Sequence, residues 1–212
     1  MAPPPKIILA STSPRRREIL SLLGLPFEVV PPKFEEVFDP GRPPLHEASF
    51  LSEAKARSVE RDFSEGIVIG SDTLIECEGE KIGKPRDRAD ARRILKRLQG
   101  RRHLIWTAVT LLDVAESSPE SSVEEVRVQM REMSGAEIDA YVATEEPLDK
   151  AGAYSLQGMG RQFILGLEGD YLAAVGLPLR PIIDFLKKRG VSPPLDVEKL
   201  YREKAFLNWK SF

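Results

Sequence analysis

Cysteine is almost missing from this 212-residue chain: Cys77 stands alone, so no disulfide can close within it, and no Cys/His set has the spacing of a zinc site. Histidine is nearly as scarce, and His46 and His103, far apart, are each read as structural. A strong charge of one sign is also lacking. Lys and Arg number 31 against 33 Asp and Glu, and the net charge of −2 argues against a dedicated nucleic-acid binder. No run approaches the roughly 18 apolar residues of a membrane span. The opening MAPPPKIILAS holds too short an apolar run, broken soon by arginines, so no secretory leader is expected and the cytoplasm is the expected compartment. The sequence has no GxxxxGK[ST] and hence no Walker A loop, and it offers no set of residues for an acyl-transfer triad. No repeat, low-complexity tract or linker divides it.

What is present suits one core, since 42% of the residues are hydrophobic. KIILA (6–10) predicts a buried strand. A helix over about 14–23 follows, with Ile19, Leu20, Leu22 and Leu23 inward and Gly24 after its C-cap. FEVVPP predicts a second strand, a Pro/Gly-rich loop comes next, and a helix over roughly 46–63 places Ala48, Leu51, Ala54, Lys55 and Val59 at helical spacing. GIVIGSDT (66–73) reads as a central strand that stops abruptly at Ser71-Asp72, and TLIECEGEKIGKP as a hairpin turning at Glu78-Gly79. An amphipathic helix ending at Gly100, two long strands around a polar loop 115–122, and a helix over 134–144 come next. A glycine-rich stretch 151–160, a strand near 163–168 and a helix over 178–188 complete the core. The fold class is therefore α/β with α+β character: a mixed twisted sheet flanked by helices. Residues 1–190 are expected to form a single catalytic domain and 191–212 a peripheral helical tail.

The stretch LASTSPRRREIL carries the sharpest signal. Ser13 suits an N-cap and Pro14 the first helical position, yet Arg15, Arg16 and Arg17 crowd a first turn that the helix dipole makes unfavourable for cations. Free N–H groups, the hydroxyls of Ser11 and Ser13, and Arg15 and Arg16 together make a phosphate site, whereas Arg17 reads as a solvated cation. On this view neither Arg15 nor Arg16 is needed for stability. Asp72, after an apolar run, is placed to project from a strand end and to hold Mg²⁺ or polarise a water, although a turn or N-cap aspartate fits the residues equally well. Glu35 and Glu36 offer a second metal ligand, but an isolated Glu-Glu pair fits a plain surface loop better. Lys55 lies on the inward stripe of its helix, a costly place for an amine without an anion. Lys84 in GKPRD reads by itself as part of an exposed turn, and Lys150 in DKAGAYSLQG adds another cation beside glycines that permit close approach.

LASTSPRRREILSLLG, GSDT, GKPRD, EEPLDKAGAYSLQG and GDYLAAVGLPL, in that order from about Lys6 to Lys188, resemble the Maf family of nucleoside triphosphate pyrophosphatases. The resemblance implies the fold shared with inosine triphosphatases, with a central cleft between two lobes. It implies metal-assisted hydrolysis, with Mg²⁺ or Mn²⁺, of a nucleoside triphosphate to monophosphate and pyrophosphate, and it suggests a homodimer. Ser11, Arg15 and Arg16 would hold phosphates, and Lys150 would join them in binding substrate. Lys55 and Lys84 would neutralise charge at the α-phosphorus and the leaving group. Asp72 would serve as acid/base and metal residue with Glu35 as helper, and Thr73 and Gln157 would line the base side. AGAYSLQG is similar to the AGAYGIQG of the branch acting on dTTP and UTP, and an amide at Gln157 matches the O4 and N3–H edge of a pyrimidine. Ser155 in place of glycine, Trp106 before Thr107, and a missing asparagine in YLAAVGLPL depart from the pattern and bear on the choice of base. The alternatives are the same chemistry on 7-methyl-GTP or other nucleotides, or a nucleotide-binding regulator of septum formation.

Overall fold

The computed structural model describes residues 5–212; residues 1–4, the first part of the stretch read for a leader, lie outside it. One mixed sheet organises the chain, in the order β2 (Glu28–Val30), β1 (Ile7–Ala10), β3 (Ile67–Cys77), β5 (Arg102–Asp113), β6 (Ser118–Met130) and β7 (Ile164–Glu168), with β4 (Glu80–Ile82) added beside β3. β1 runs parallel to β2 and β3, and the remaining pairs are antiparallel. The two-residue turn between β3 and β4 has positive φ at both Glu78 and Gly79, the primed geometry that matches the twist of a hairpin.

β3 does not stop at Ser71-Asp72 as its apolar run suggests; it continues to Cys77. β5 follows one of its edges from Ile67 to Glu76. On the other edge β1 covers Ile67–Gly70 and β4 covers Ile75–Cys77. Between them, Ser71, Asp72, Thr73 and Leu74 have no strand beside them among the described residues. The apolar run ends where β1 ends, so the change of composition marks a gap in the sheet edge rather than the end of a strand.

Side chains alternate between the faces of a strand. Val68 packs with Ile8, Ala56 and Val59 beneath α2 (Pro44–Glu60), and Leu74 packs with Ala48. Ile67, Ile69 and Ile75 enter the larger core on the opposite face, against α1 (Pro14–Ser21), α3 (Arg88–Leu98) and α6 (Leu179–Lys188). Asp72 thus belongs to the α2 face, and Ser71 and Thr73 to the other. Gly70 lets α2 rest directly on β3: a Cβ there would stand 2.2 Å from the Ser52 carbonyl oxygen. That contact brings Lys55, one turn further along α2, to the level of Asp72.

Other boundaries shift by small amounts with clear causes. α1 ends at Ser21, and Leu23 is buried from the turn that follows. The loop between β5 and β6 is shorter than expected, because the ladder closes from Asp113 to Ser118. α4 (Gly135–Ala143) starts on a reciprocal cap, with the Ser134 side chain accepting from the Glu137 amide and the Glu137 carboxylate accepting from the Ser134 amide. The short helix α5 (Tyr171–Val175), not foreseen, starts on Asp170, whose carboxylate accepts from Leu172 and Ala173 amides. After Val191 come α7 (Val197–Glu203) and a final turn at Trp209–Ser211; Leu200 and Trp209 are buried in the larger core. No helix among the described residues is long and apolar enough to cross a membrane.

Candidate active site

A cleft of about 480 Å³ opens at the gap in the β3 edge. Its walls come from the β1–α1 loop, the loop before α2, α2 itself, β3, the turn after β4, and residues 149–157. Ser11, Arg15, Arg16, Lys55, Asp72, Thr73, Lys84, Lys150 and Gln157 all line it, so every expected site residue except Glu35 is brought to one place.

The arginines at the start of α1 have a structural explanation. No acidic residue occupies the first turn, and the Ser13 side chain makes no capping bond. Instead the Arg16 Nε donates to the Gly176 carbonyl at 2.9 Å, one guanidinium nitrogen donates to Thr73 Oγ1 at 3.3 Å, and the other reaches Ser11 Oγ at 3.5 Å. Burial lowers the Arg16 pKa from its ordinary value, while the charges of Asp72 and Glu36 oppose that shift. Arg15 lies nearer the opposite wall, 3.8 Å from an Asp149 oxygen. Arg17 is exposed, as its reading as a solvated cation requires.

Thr73, which the resemblance assigns to the base side, lines the cleft and is also part of this arginine network. Thr107 Oγ1 donates to the Ala173 carbonyl at 2.8 Å, which leaves it to accept from Thr73 Oγ1 at 3.0 Å. Thr73 in turn accepts from Arg16, so the hydroxyls form a directed chain ending on α5. Ser71, on the same face, donates to Gly176 O at 2.9 Å.

On the α2 face, the buried Lys55 ammonium bridges Asp72 and Glu36, at 2.7 Å from the latter. Leaving an ammonium unpaired at such depth would cost several kcal/mol, so the pair of carboxylates makes its burial tolerable. Glu35 does not line the cleft; its neighbour Glu36 does, and supplies the second carboxylate. Burial pushes the Asp72 carboxyl above its ordinary range against the pull of Lys55 and Arg16. Burial acts the same way on Glu36, but Lys55, Lys84 and Arg16 outweigh it and hold that carboxyl below its ordinary range. The two carboxylates of one cluster are thus driven apart in acidity.

The far wall is the stretch 146–160. Lys150 donates to the Glu146 carbonyl at 3.0 Å and pairs with Asp149. The Glu146 carboxylate accepts from the amides of Met159 and Gly160 and from the Tyr141 hydroxyl. At Gly158 a Cβ would stand 2.1 Å from that carboxylate, so any larger residue there would displace the Glu146 side chain. Ser155, a departure from the family pattern, accepts from the amides of Gln157 and Gly158 and pins the turn. The Gln157 side-chain nitrogen is buried without a partner among the described residues. Tyr154 lines the cleft, and its hydroxyl sits 2.7 Å from Nε2 of the buried His103.

Sequence signals pick out Glu36 only as half of a pair with Glu35, and they do not pick out Glu146 or the Gly176 carbonyl. Glu146 sits in EEPLD with no periodicity around it, and a main-chain carbonyl leaves no side-chain signature. Among the described residues no group of three or more His, Cys, Asp and Glu is placed to hold a metal ion by itself. Asp72 and Glu36 nonetheless suit Mg²⁺ or Mn²⁺ of the kind completed by substrate, which takes one or two carboxylates plus phosphate oxygens.

The mixed sheet and the basic, carboxylate-bearing cleft at its interrupted edge define an α/β protein built around a site for a polyanion. The chain belongs to the Maf family: the family model described as Maf-like protein matches residues 6–189. It is 43% identical over 186 residues to a dTTP/UTP pyrophosphatase of Moorella thermoacetica, an alignment covering 88% of this chain and 96% of that one. It is 44% identical over 184 residues to a dTTP/UTP pyrophosphatase of Thermoanaerobacter pseudethanolicus, covering 86% and 96%. Among solved structures it is similar to that of the Staphylococcus aureus Ham1 protein, with a TM-score of 0.43 and 19% identity over 74% of this chain and 93% of the other.

Proposed function

We propose that the chain is a nucleoside triphosphate diphosphatase that hydrolyses dTTP and UTP, with modified pyrimidine nucleotides, to the monophosphate and pyrophosphate. The observation that carries this reading is the buried Asp72–Lys55 pair, joined by the more exposed Glu36, in the same cleft as Arg16 and Gln157. The names of the relatives support the same substrate class.

Ser11, Arg15, Arg16 and Lys150 bind the phosphate oxygens, with Arg16 oriented by Gly176 and Thr73 so that little reorganisation is needed when substrate enters. Lys55 and Lys84 offset charge at the α-phosphorus and on the leaving group. Asp72 takes a proton from the attacking water. An oxygen–phosphorus bond forms at the α-phosphorus, the bond to the α–β bridging oxygen breaks, and its electron pair leaves with pyrophosphate. A carboxyl whose pKa burial raises is a better base for that step than an ordinary one. Asp72 and Glu36 would hold Mg²⁺ or Mn²⁺, which when bound supplies Lewis-acid polarisation of phosphate oxygens. Gln157 presents an amide donor and acceptor to the pyrimidine edge.

The reading includes a cytoplasmic setting, to which a buried free thiol at Cys77 is suited, and a homodimer, which rests on the family resemblance and is tested by sedimentation. Hydrolysis of a panel of nucleoside triphosphates in ¹⁸O-water tests the chemistry. The expected result is preference for dTTP and UTP, with label in the monophosphate. Label in pyrophosphate, or release of orthophosphate, would place attack on another phosphorus and overturn the reading.

A further inference from the structure

The chain continues past the segment that matches its family, and the continuation packs against the loop that carries Gln157. The family match ends at residue 189, and the two relatives described above are aligned over nearly their whole length. Residues 191–212 are therefore an addition relative to those relatives. They fold over α5 and the Gln157 loop. Trp209 stacks on Tyr171 with ring centroids 5.5 Å apart, and the Tyr171 hydroxyl donates to the Leu207 carbonyl at 2.6 Å. The Tyr201 hydroxyl donates to Asp170, the residue that caps α5. Arg161, at the far end of the Gln157 loop, donates to the Ser211 carbonyl at 3.2 Å.

The decisive contact is Asn208. Its side-chain Nδ2 donates to the Gln157 main-chain carbonyl at 2.7 Å. Asn208 itself sits at φ 62°, in the left-handed region that asparagine tolerates better than most residues. Both its backbone and its amide thus suit the position. On the other side of the loop Ser155 and Glu146 hold the amides of residues 157–160. Without Asn208, the carbonyl of Gln157 itself would have no protein donor among the described residues.

We propose that the C-terminal segment is a brace for the base-recognition loop, with Asn208 as a positioning residue that sets where the Gln157 side chain stands and thereby tunes selectivity among bases. The proposal rests on the reading of Gln157 as the base-contacting side chain. It makes pyrimidine preference depend on residues outside the family's shared core.

The test compares wild-type protein with Asn208→Asp, which keeps shape but turns an acceptor toward the carbonyl, and Asn208→Gly, which keeps the left-handed backbone and removes the amide. Amide hydrogen exchange is followed over residues 155–161, KM and kcat are measured for dTTP, UTP and purine triphosphates, and inorganic tripolyphosphate is used as a base-free competitive inhibitor. Exchange in that loop should quicken, and KM for the pyrimidine substrates should rise up to about tenfold, the worth of one good hydrogen bond. The purine KM values, kcat and the tripolyphosphate inhibition constant should move much less. Unchanged exchange in both variants overturns the brace. Faster exchange with equal losses for all nucleotides and for tripolyphosphate overturns its role in selectivity. A parallel Gln157→Ala variant separates the two ideas: if it leaves the base preference intact, the reading of Gln157 fails, and the exchange data then decide the brace by themselves.

Discussion

Arg16 and Gly176, 160 positions apart in the chain, are joined by a hydrogen bond of 2.9 Å from the guanidinium Nε to the main-chain carbonyl. A cation at the start of α1 is unfavourable for that helix, yet the Gly176 carbonyl at the end of α5, which also accepts from Ser71, compensates it. The two short helices are thereby locked to one another through a side chain that also lines the cleft.

Arg15 and Arg16 should for that reason behave differently, although the sequence treats them alike. Arg15→Ala removes a half-buried charge with no close partner among the described residues from a helix start, and its melting temperature should stay level or rise slightly. Arg16→Ala breaks bonds to Gly176, Thr73 and Ser11, and should lose about 1–3 kcal/mol of stability. Both should lower kcat/KM. Equal melting temperatures for the two variants would contradict the lock.

Activity should fail on the acid side at a higher pH than an ordinary aspartate would allow. The working form of Asp72 is the carboxylate, and burial raises its pKa, so the group takes up a proton earlier as pH falls. The acid limb of log kcat/KM against pH should therefore have its midpoint above that of a free aspartate. Asp72→Asn should lose that limb and roughly 10²–10⁴-fold in kcat while keeping its circular dichroism spectrum. A midpoint at or below that of a free aspartate would remove Asp72 as the base.

Gln157→Glu should turn the base wall against pyrimidines. The buried amide donor is replaced by an oxygen, and an acceptor then faces O4, at about 1–3 kcal/mol if the group stays ionised and buried. That corresponds to roughly a ten- to hundred-fold fall in kcat/KM for dTTP and UTP. Guanine nucleotides, which offer N–H donors, should lose less or gain. A substrate panel reads the result directly, and uniform losses would assign Gln157 to the loop's architecture instead.

His103 should make the fold sensitive to mild acid. Burial lowers its pKa from 6.5 to about 4, so the folded protein keeps it neutral where the unfolded chain would protonate it. Stability from this group is fully present above pH 6.5 and is lost as pH falls toward 4, by about 3 kcal/mol in all. His103→Gln, which can still meet the Tyr154 hydroxyl, should flatten urea-unfolding stability across that window. A slope equal to wild type would place the acid sensitivity elsewhere.

Much of this was legible from residues whose surroundings impose a pattern. Lys55 announced itself because α2 repeats its buried positions at helical spacing, and an amine on that stripe needs a carboxylate. Asp72 stood out because the apolar run of β3 loses its partner strand at the same point. Glu36 could not be separated from Glu35, since a loop without periodicity does not say which of two neighbours turns inward. The resemblance gives Thr73 a place beside the base, but its bonds to Arg16 and Thr107 follow from strand alternation, which no motif displays. α5 spans too few residues to show a period, and the bond that fixes Arg16 ends on a carbonyl that any residue carries. Asn208 lies in a tail with no motif, and only folding reveals that it reaches Gln157.

The cleft gathers five cationic side chains, Arg15, Arg16, Lys55, Lys84 and Lys150, against three carboxylates, Glu36, Asp72 and Asp149, in a chain whose net charge is −2. Such a local excess favours any compact polyanion, whatever it is attached to. In the proposed reaction pyrophosphate would rebind to this cluster in competition with substrate, and turnover would slow as it accumulates. Dilution, salt or an enzyme that splits pyrophosphate would then set the pace as much as the chemistry does.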